Sequence, residues 1–415
     1  MITMRAASHG YLFLCLGLIA SCGSGARTSH KHKPVNNAPP PSGQVAPTPA
    51  PAAPAGDQGG QQPPTAEDRE VTRLEEVAAR KERDPEVLLA LGTARAKAGD
   101  LRGAALEFHR AARLAPKDHR PAYNLGNVLL RLKRNDEALA ALTKADSLAP
   151  GNVDVLVALA IAQRRLGQLR KSRSTLARGA RTKGGAHHFR LQLNLGLTLE
   201  AAGQIGLAIK AYRRAALARP SDVRAHLHMG VLLGRSKKLK EAEAAFRKAV
   251  AARGRNVDAR ANLGSILLKL GKNAAAARHL EVAVSVQPDD GPLQMNLGLA
   301  YQRSGQHGRA AATYRRAVQL LPSSAEAKLQ LGLSLARSGD PAGARRAATD
   351  ALRLDGKLRP AVDATIQDLG KSQELAALEA ALALTRALLA VFPDDKAARH
   401  NRLALESMVK RKRSR

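Results

Sequence analysis

A Leu-Gly step, or a near equivalent, returns at one fixed interval through most of this 415-residue chain, and that interval constrains the fold more than any other feature. It stands at Leu91-Gly92, Leu125-Gly126, Leu159-Ala160, Leu195-Gly196, Met229-Gly230, Leu263-Gly264, Leu297-Gly298 and Leu331-Gly332; every step is 34 residues except one of 36. Twelve residues beyond each Gly or Ala comes a second small residue: Ala104, Ala138, Ser172, Ala208, Ala242, Ala276, Ala310 or Ala344. Seven further on lies a third: Ala111, Ala145, Gly179, Ala215, Ala249, Ala283, Ala317 or Ala351. Between the last two, a large side chain recurs as Phe108, Leu142, Leu176, Tyr212, Phe246, Leu280 and Tyr314, and Pro116, Pro150, Pro220, Pro288 and Pro322 close the units.

Small residues at fixed offsets predict two amphipathic helices per unit, A and B, that approach closely. Gly99, Gly167, Gly203, Gly271, Gly305 and Gly339 fall where a left-handed cap would end helix A. No such unit buries its own apolar face, so stacking must supply the core and the ends need caps. Composition agrees: apolar residues reach 44% but aromatics only 2%, so the core is built from Ala and Leu.

The pattern resembles the tetratricopeptide repeat, and the resemblance implies an all-α, right-handed α-solenoid of helix-turn-helix repeats. Eight repeats are placed at 85–118, 119–152, 153–188, 189–222, 223–256, 257–290, 291–324 and 325–358, with a two-residue insertion near Gly184 to His188. A capping helix is expected over 66–84, a degenerate ninth repeat over 359–394, and a solvating helix with a basic tail over 395–415. The nearly all-apolar run Leu375 to Phe392 reads as a buried helix B of the ninth repeat, or else as a self-association face.

In tetratricopeptide proteins helix A lines the inner groove, chiefly at repeat positions 2, 5, 9, 12 and 13. Positions 5 and 9 are four apart and share a helix face. Here they read Val157 and Ile161, Leu193 and Leu197, Leu227 and Val231, Met295 and Leu299, and Leu329 and Leu333, an expected apolar groove floor broken around Ala261 and Ser265. An amphipathic or extended partner peptide could lay apolar anchors there. Position 13 carries Lys97, Arg131, Arg165, Arg235, Lys269, Arg303 and Arg337, a cationic edge interrupted only by Ala201. It reads equally as a contact for an acidic partner or as family consensus, because a cation suits a helix C-terminus. Asn124, Asn194, Asn262 and Asn296 at position 6 read as structural. In the second repeat Arg120, Tyr123, Asn124 and Asn127 match only part of the family's carboxylate clamp, and the clamp is not carried over.

Ahead of the repeats, Arg5 and the apolar stretch Tyr11 to Ala20 form a signal sequence over 1–21, too short for a span of roughly 20 apolar residues. Ile19-Ala20-Ser21-Cys22 resembles the bacterial lipobox, which implies lipidation at Cys22; a plain secretory signal with an incidental Cys is the competing reading. Several acyl chains would make a stable anchor. Residues 22–65 are rich in Pro, Ala and Gly, including Pro39-Pro40-Pro41, and read as a disordered tether reaching up to roughly 100 Å. The expected location is the bacterial cell envelope, lipid-anchored and facing the periplasm from the outer membrane.

The net charge of +32 points to anionic partners without naming one. Anionic cell-wall polymer or lipid is one option, and the tail Lys410 to Arg415 could touch either or simply fray in solvent. Nucleic acid is disfavoured, since aromatics for stacking are few. No metal-spaced His or Cys cluster, phosphate-cradling Gly loop or nucleophile elbow is present, so neither an enzyme nor a cofactor is expected. His187-His188 have no evident partner in the sequence, and the His30 to Lys33 stretch reads as solvated tether. The leading expectation is a scaffold that assembles or stabilises an envelope complex, such as pilus, motility, secretion, polysaccharide export or peptidoglycan machinery. The alternative is an electrostatic adhesion or spacer module.

Overall fold

The computed structural model describes residues 65–414, which divide into two compact units, 65–132 and 133–414. The segments expected to be a signal sequence and a tether, with Cys22, lie outside the described residues except for Thr65. Among the described residues there is no strand, and no helix is long and apolar enough to cross a membrane.

The first unit holds α1 (Ala66–Arg80), α2 (Pro85–Ala98), α3 (Leu101–Leu114) and α4 (His119–Arg131), each packed on the next. Glu107, only 3% exposed, lies between Arg95 and Arg110 at 3.1 and 2.9 Å, and Arg95 reaches on to Glu75 at 2.7 Å. One buried carboxylate and its cations thus tie three helices together, and removing either side would strand a buried charge.

The second unit opens with α5 (Asn135–Leu148), α6 (Val153–Arg165), α7 (Leu169–Ala180), α8 (Phe189–Ala201), α9 (Ile205–Ala218), α10 (Val223–Arg235) and α11 (Leu239–Ala252). It continues with α12 (Val257–Lys269), α13 (Asn273–Val286), α14 (Gly291–Arg303), α15 (His307–Leu320), α16 (Ala325–Arg337) and α17 (Pro341–Leu354). It ends with α18 (Arg359–Gly370), α19 (Leu375–Val391) and α20 (Lys396–Arg413). Pairs such as α8 with α9 and α10 with α11 are the helix-turn-helix units, and each pair also packs on the next. The predicted second repeat contributes one helix to each unit. The all-α solenoid of helix-turn-helix repeats that the family resemblance implies is the observed fold.

The small residues sit where the helices meet. A Cβ added at Gly196, Gly230, Gly264 or Gly298 would come within 2.4 to 2.7 Å of Tyr212, Phe246, Leu280 or Tyr314, the large side chain sixteen residues on. The glycine of helix A is therefore a socket for the ring or branched chain of helix B, which is why both recur in step. In the third repeat Ser172 replaces Ala, and it is satisfied: its hydroxyl donates to the Ala160 carbonyl at 2.8 Å and lies 3.0 Å from the Thr198 hydroxyl.

Every helix A of the eight predicted repeats is capped by a side chain that accepts from its first-turn amides. The caps are Asp84, Asp118, Asn152, His188, Asp222, Asn256, Asp290 and Ser324. Most helices B lack such a cap and rely on packing. The insertion after the third repeat forms a short turn, Gly185–His187, and His188 then caps α8, so this histidine has a structural partner after all.

The six predicted turn glycines all adopt left-handed backbone angles. Where the sequence lacks glycine at this turn, Lys133 and Lys237 take the same region at φ 63° and 59°. A side chain there is strained, so Lys237→Gly is expected to stabilise the second unit by about 0.5–1 kcal/mol. The denaturant midpoint measures this, and an unchanged or lower midpoint contradicts it.

Candidate functional site

The predicted groove floor separates into two depths. At position 5, Val157, Leu193 and Leu329 are buried, and so is Leu333 at position 9. Val157 is fully sealed and clusters with Ala160, Leu176 and Leu191, the last belonging to the following repeat. Val157, Leu193, Leu329 and Leu333 are therefore core and offer a ligand almost no surface. Ile161, Leu197, Leu227, Val231, Met295 and Leu299 remain half-buried: their inner sides pack on the core while their outer sides stay open. Ala261 and Ser265 are both buried, the Ser265 hydroxyl donating to the Ala261 carbonyl at 2.9 Å. The apolar row on helices A thus has two open stretches, α6 to α10 and α14, separated by the tightly closed α12.

Polar groups border this row on α8 and α10. Tyr212 donates to Glu200 Oε2 at 2.6 Å, His228 Nδ1 lies 3.5 Å from the same oxygen, and the Tyr212 and His228 rings stack with centroids 5.2 Å apart. Burial pushes the Glu200 carboxyl up, but the hydrogen bonds from His228 and Tyr212 prevail and hold it below its ordinary value. Burial, reinforced by the bond to Glu200, raises the Tyr212 hydroxyl well above its ordinary value. The cluster is a fixed acceptor site beside the apolar row, with Glu200 half-exposed and ionised. Its residues come from three helices, α8, α9 and α10, at spacings that no local motif reveals.

Position 2 forms a rim of ion pairs between successive repeats: Arg120 with Glu86 in the first unit, and Arg190 with Asp154 at 2.8 Å in the second. These pairs are exposed and contribute little stability. Each pair presents both signs on its own unit.

The cationic edge divides in the same way. Arg131 donates to the Ala96 carbonyl at 2.9 Å, Arg303 to the Leu268 carbonyl at 3.4 Å, and Arg337 pairs with Asp368 at 3.0 Å. Arg131 and Arg303 satisfy carbonyls at the end of the preceding helix A, the role a cation plays at a helix C-terminus. Lys97, Arg165, Arg235 and Lys269 are exposed. Two position 6 amides are structural, since Asn194 and Asn262 donate to the carbonyls of Arg190 and Asp258 one turn back. Among the described residues no group of three or more His, Cys, Asp or Glu is placed to hold a metal ion.

The terminal helices complete the second unit. Within α19, Leu378, Leu384 and Leu388 are at most 1% exposed and the helix packs on α17, α18 and α20, so most of the run 375–392 is core while Ala376, Arg386 and Ala390 stay exposed. The basic tail is the last turn of α20, and Arg413 folds back onto Glu379 at 2.6 Å.

Sequence models of the tetratricopeptide repeat match residues 89–153, 129–195, 193–256, 227–294, 261–327 and 295–359. No curated protein matches the chain. Among solved structures, PilW, a type IV pilus biogenesis factor, is 20% identical over 51% of this chain and 96% of its own, with a TM-score of 0.46. YrrB, described as a tetratricopeptide protein with an unusual peptide-binding site, is 22% identical over 45% and 95%, at 0.37. A tetratricopeptide repeat protein from Parabacteroides merdae ATCC 43184 is 21% identical over 60% and 98%, at 0.42. The matched segments run without a gap from 89 to 359, the same residues in which glycine sockets, capped helices A and left-handed turns recur, and the chain belongs to the tetratricopeptide repeat family.

Proposed function

We propose that this protein is a lipid-anchored scaffold of a bacterial envelope that holds peptide segments of a partner against its helices A. The family is one of protein-interaction repeats, and the single observation that carries the reading is the half-open apolar row Ile161, Leu197, Leu227, Val231, Met295 and Leu299. A contiguous part-open apolar row is the kind of surface against which a partner segment can lay its apolar anchors. The Glu200 cluster beside the row supplies an ionised acceptor that would orient a donor of the bound segment. Membrane attachment rests on the sequence alone, through Cys22 and the small residues before it. The envelope process served, whether pilus, motility, secretion, polysaccharide export or peptidoglycan assembly, follows from the partner.

The experiment is affinity purification of the full chain from the membrane fraction of its own cells, with Leu197→Glu alongside. A stoichiometric protein partner is expected with the native chain. The variant is expected to weaken it by about 2 kcal/mol, roughly 30-fold, because a charge would face the apolar anchor. Retained helicity in the variant separates lost binding from lost fold. Undiminished capture by Leu197→Glu sinks the reading. An electrostatic spacer, the competing function, would instead bind anionic polymer and release it steeply as salt rises, whereas apolar anchoring persists.

A further inference from the structure

Beyond the helix A row, the second unit has a cleft of about 830 Å³ near its C-terminal end, formed by α17, α19 and α20. It lies on helices B and the terminal helix, largely past residue 359 where the repeat matches stop, and is therefore separate from the face described above. Its floor is apolar, with Leu382, Ala383 and Val409 among the lining residues. Its rim is cationic. Arg413 and Arg386 are already neutralised by Glu379 and Glu406 at 2.6 and 3.0 Å. Arg345, Arg346 and Lys410 line the same cleft and are exposed, and among the described residues no carboxylate lies within ion-pair distance of them.

We propose that this cleft is a second docking site, and that its occupant is an acidic segment of a partner protein carrying an apolar side chain among its carboxylates. Charge selects the occupant. The two acids of the cleft are spent on two of its cations, which leaves three cations facing one concave space. An acidic chain would pair with them, and the guanidinium groups of Arg345 and Arg346 are suited to bidentate carboxylate binding. The apolar floor would take the side chain between the carboxylates, and the volume is that of an ordinary ligand site. The shape argues against a lipid surface, because a bilayer presents a broad front that meets a flat or convex basic patch rather than the floor of a cleft. Nucleic acid would need stacking partners, and no aromatic residue lines this space. The chain's own tether is no candidate: from 23 to 64 its charged residues are Arg27, Lys31, Lys33 and Asp57, a net positive segment.

The test uses the full chain and a fluorescein-labelled peptide of repeated Glu-Glu-Leu, read by fluorescence anisotropy. Control peptides replace Glu by Gln, or Leu by Ser, and vesicles of phosphatidylglycerol and phosphatidylcholine serve as the membrane probe. The Glu-Glu-Leu peptide is expected to bind, and both controls to bind more weakly. The exposed-site variant Arg345→Gln/Arg346→Gln/Lys410→Gln is expected to weaken it by about tenfold, with most of the loss abolished at high salt. Leu197→Glu is expected to leave this binding unchanged, which keeps failure here distinguishable from failure of the helix A site. The proposal is overturned if the Gln peptide binds as well as the Glu peptide, if the triple variant binds normally, or if the vesicles bind through the same three cations in preference to the peptide.

Discussion

Phe246→Ala is expected to cost the second unit about 3–5 kcal/mol, the loss typical of truncating a sealed aromatic side chain. Phe246 is 0% exposed, and its ring fills the socket left by the missing side chain of Gly230, whose Cβ would lie 2.7 Å from it. The same contact predicts a coupling between the two sites. Gly230→Val alone overpacks the socket and is expected to destabilise by about 1–3 kcal/mol or more. In the Phe246→Ala background the added side chain enters vacated space, so its penalty should shrink or reverse. A denaturant double-mutant cycle measures this. Additive losses would mean that the glycine and the ring do not share one space.

The second large effect concerns the end of the array. Removing residues 396–415 takes away α20, which contributes Ala398, Leu405 and Val409 to the core and covers part of α19. An α-helix that is apolar on nearly all sides would then face water, and a repeat array without its terminal cap loses solubility. The truncated chain is expected to remain helical by circular dichroism but to self-associate in sedimentation, unlike the full chain. A truncated protein that stays dispersed at the same concentration would show that α19 needs no cover. The same variant would leave the run from 375 to 392 as the self-association face that its composition suggested, which is how one sequence pattern supports two readings until the covering helix is placed.

The repeat architecture was legible because each unit carries its contact chemistry at fixed offsets. Gly196 and Tyr212, or Gly230 and Phe246, are paired sixteen apart for the physical reason that one is the socket of the other. Left-handed turns were equally legible wherever glycine filled them, and invisible at Lys133 and Lys237, where stacking overrides local preference. The caps at Asp222 and Asn256 lie two residues after Pro220 and three after Arg253, but short polar residues in linkers carry many roles and spacing alone does not single out a cap.

The site was half legible. A separation of four residues places Val157 beside Ile161, or Leu193 beside Leu197, on one helix face. It does not say how far the next repeat reaches across that face. Val157 is sealed in a cluster that includes Leu191 of the next repeat, whereas Ile161 one turn later stays half-open. Position 13 shows the same limit: Arg131 and Arg303 turn back to carbonyls of the preceding repeat, while Arg235 and Lys269 stay in solvent. The Tyr212, Glu200 and His228 cluster draws on three helices, and the C-terminal cleft on helices separated by dozens of residues, so neither has a local signature.

Site-specific photo-cross-linking in the native cell can decide whether a partner segment lies on the helix A row. A photoreactive amino acid is placed at Val231 on the half-open row, and in parallel at Leu217, which is exposed on α9. A discrete protein adduct is expected from position 231, mapped by mass spectrometry to one short segment of one partner, and none from position 217. Adducts to the same protein from both positions, or no protein adduct from position 231, would contradict a partner segment on that row.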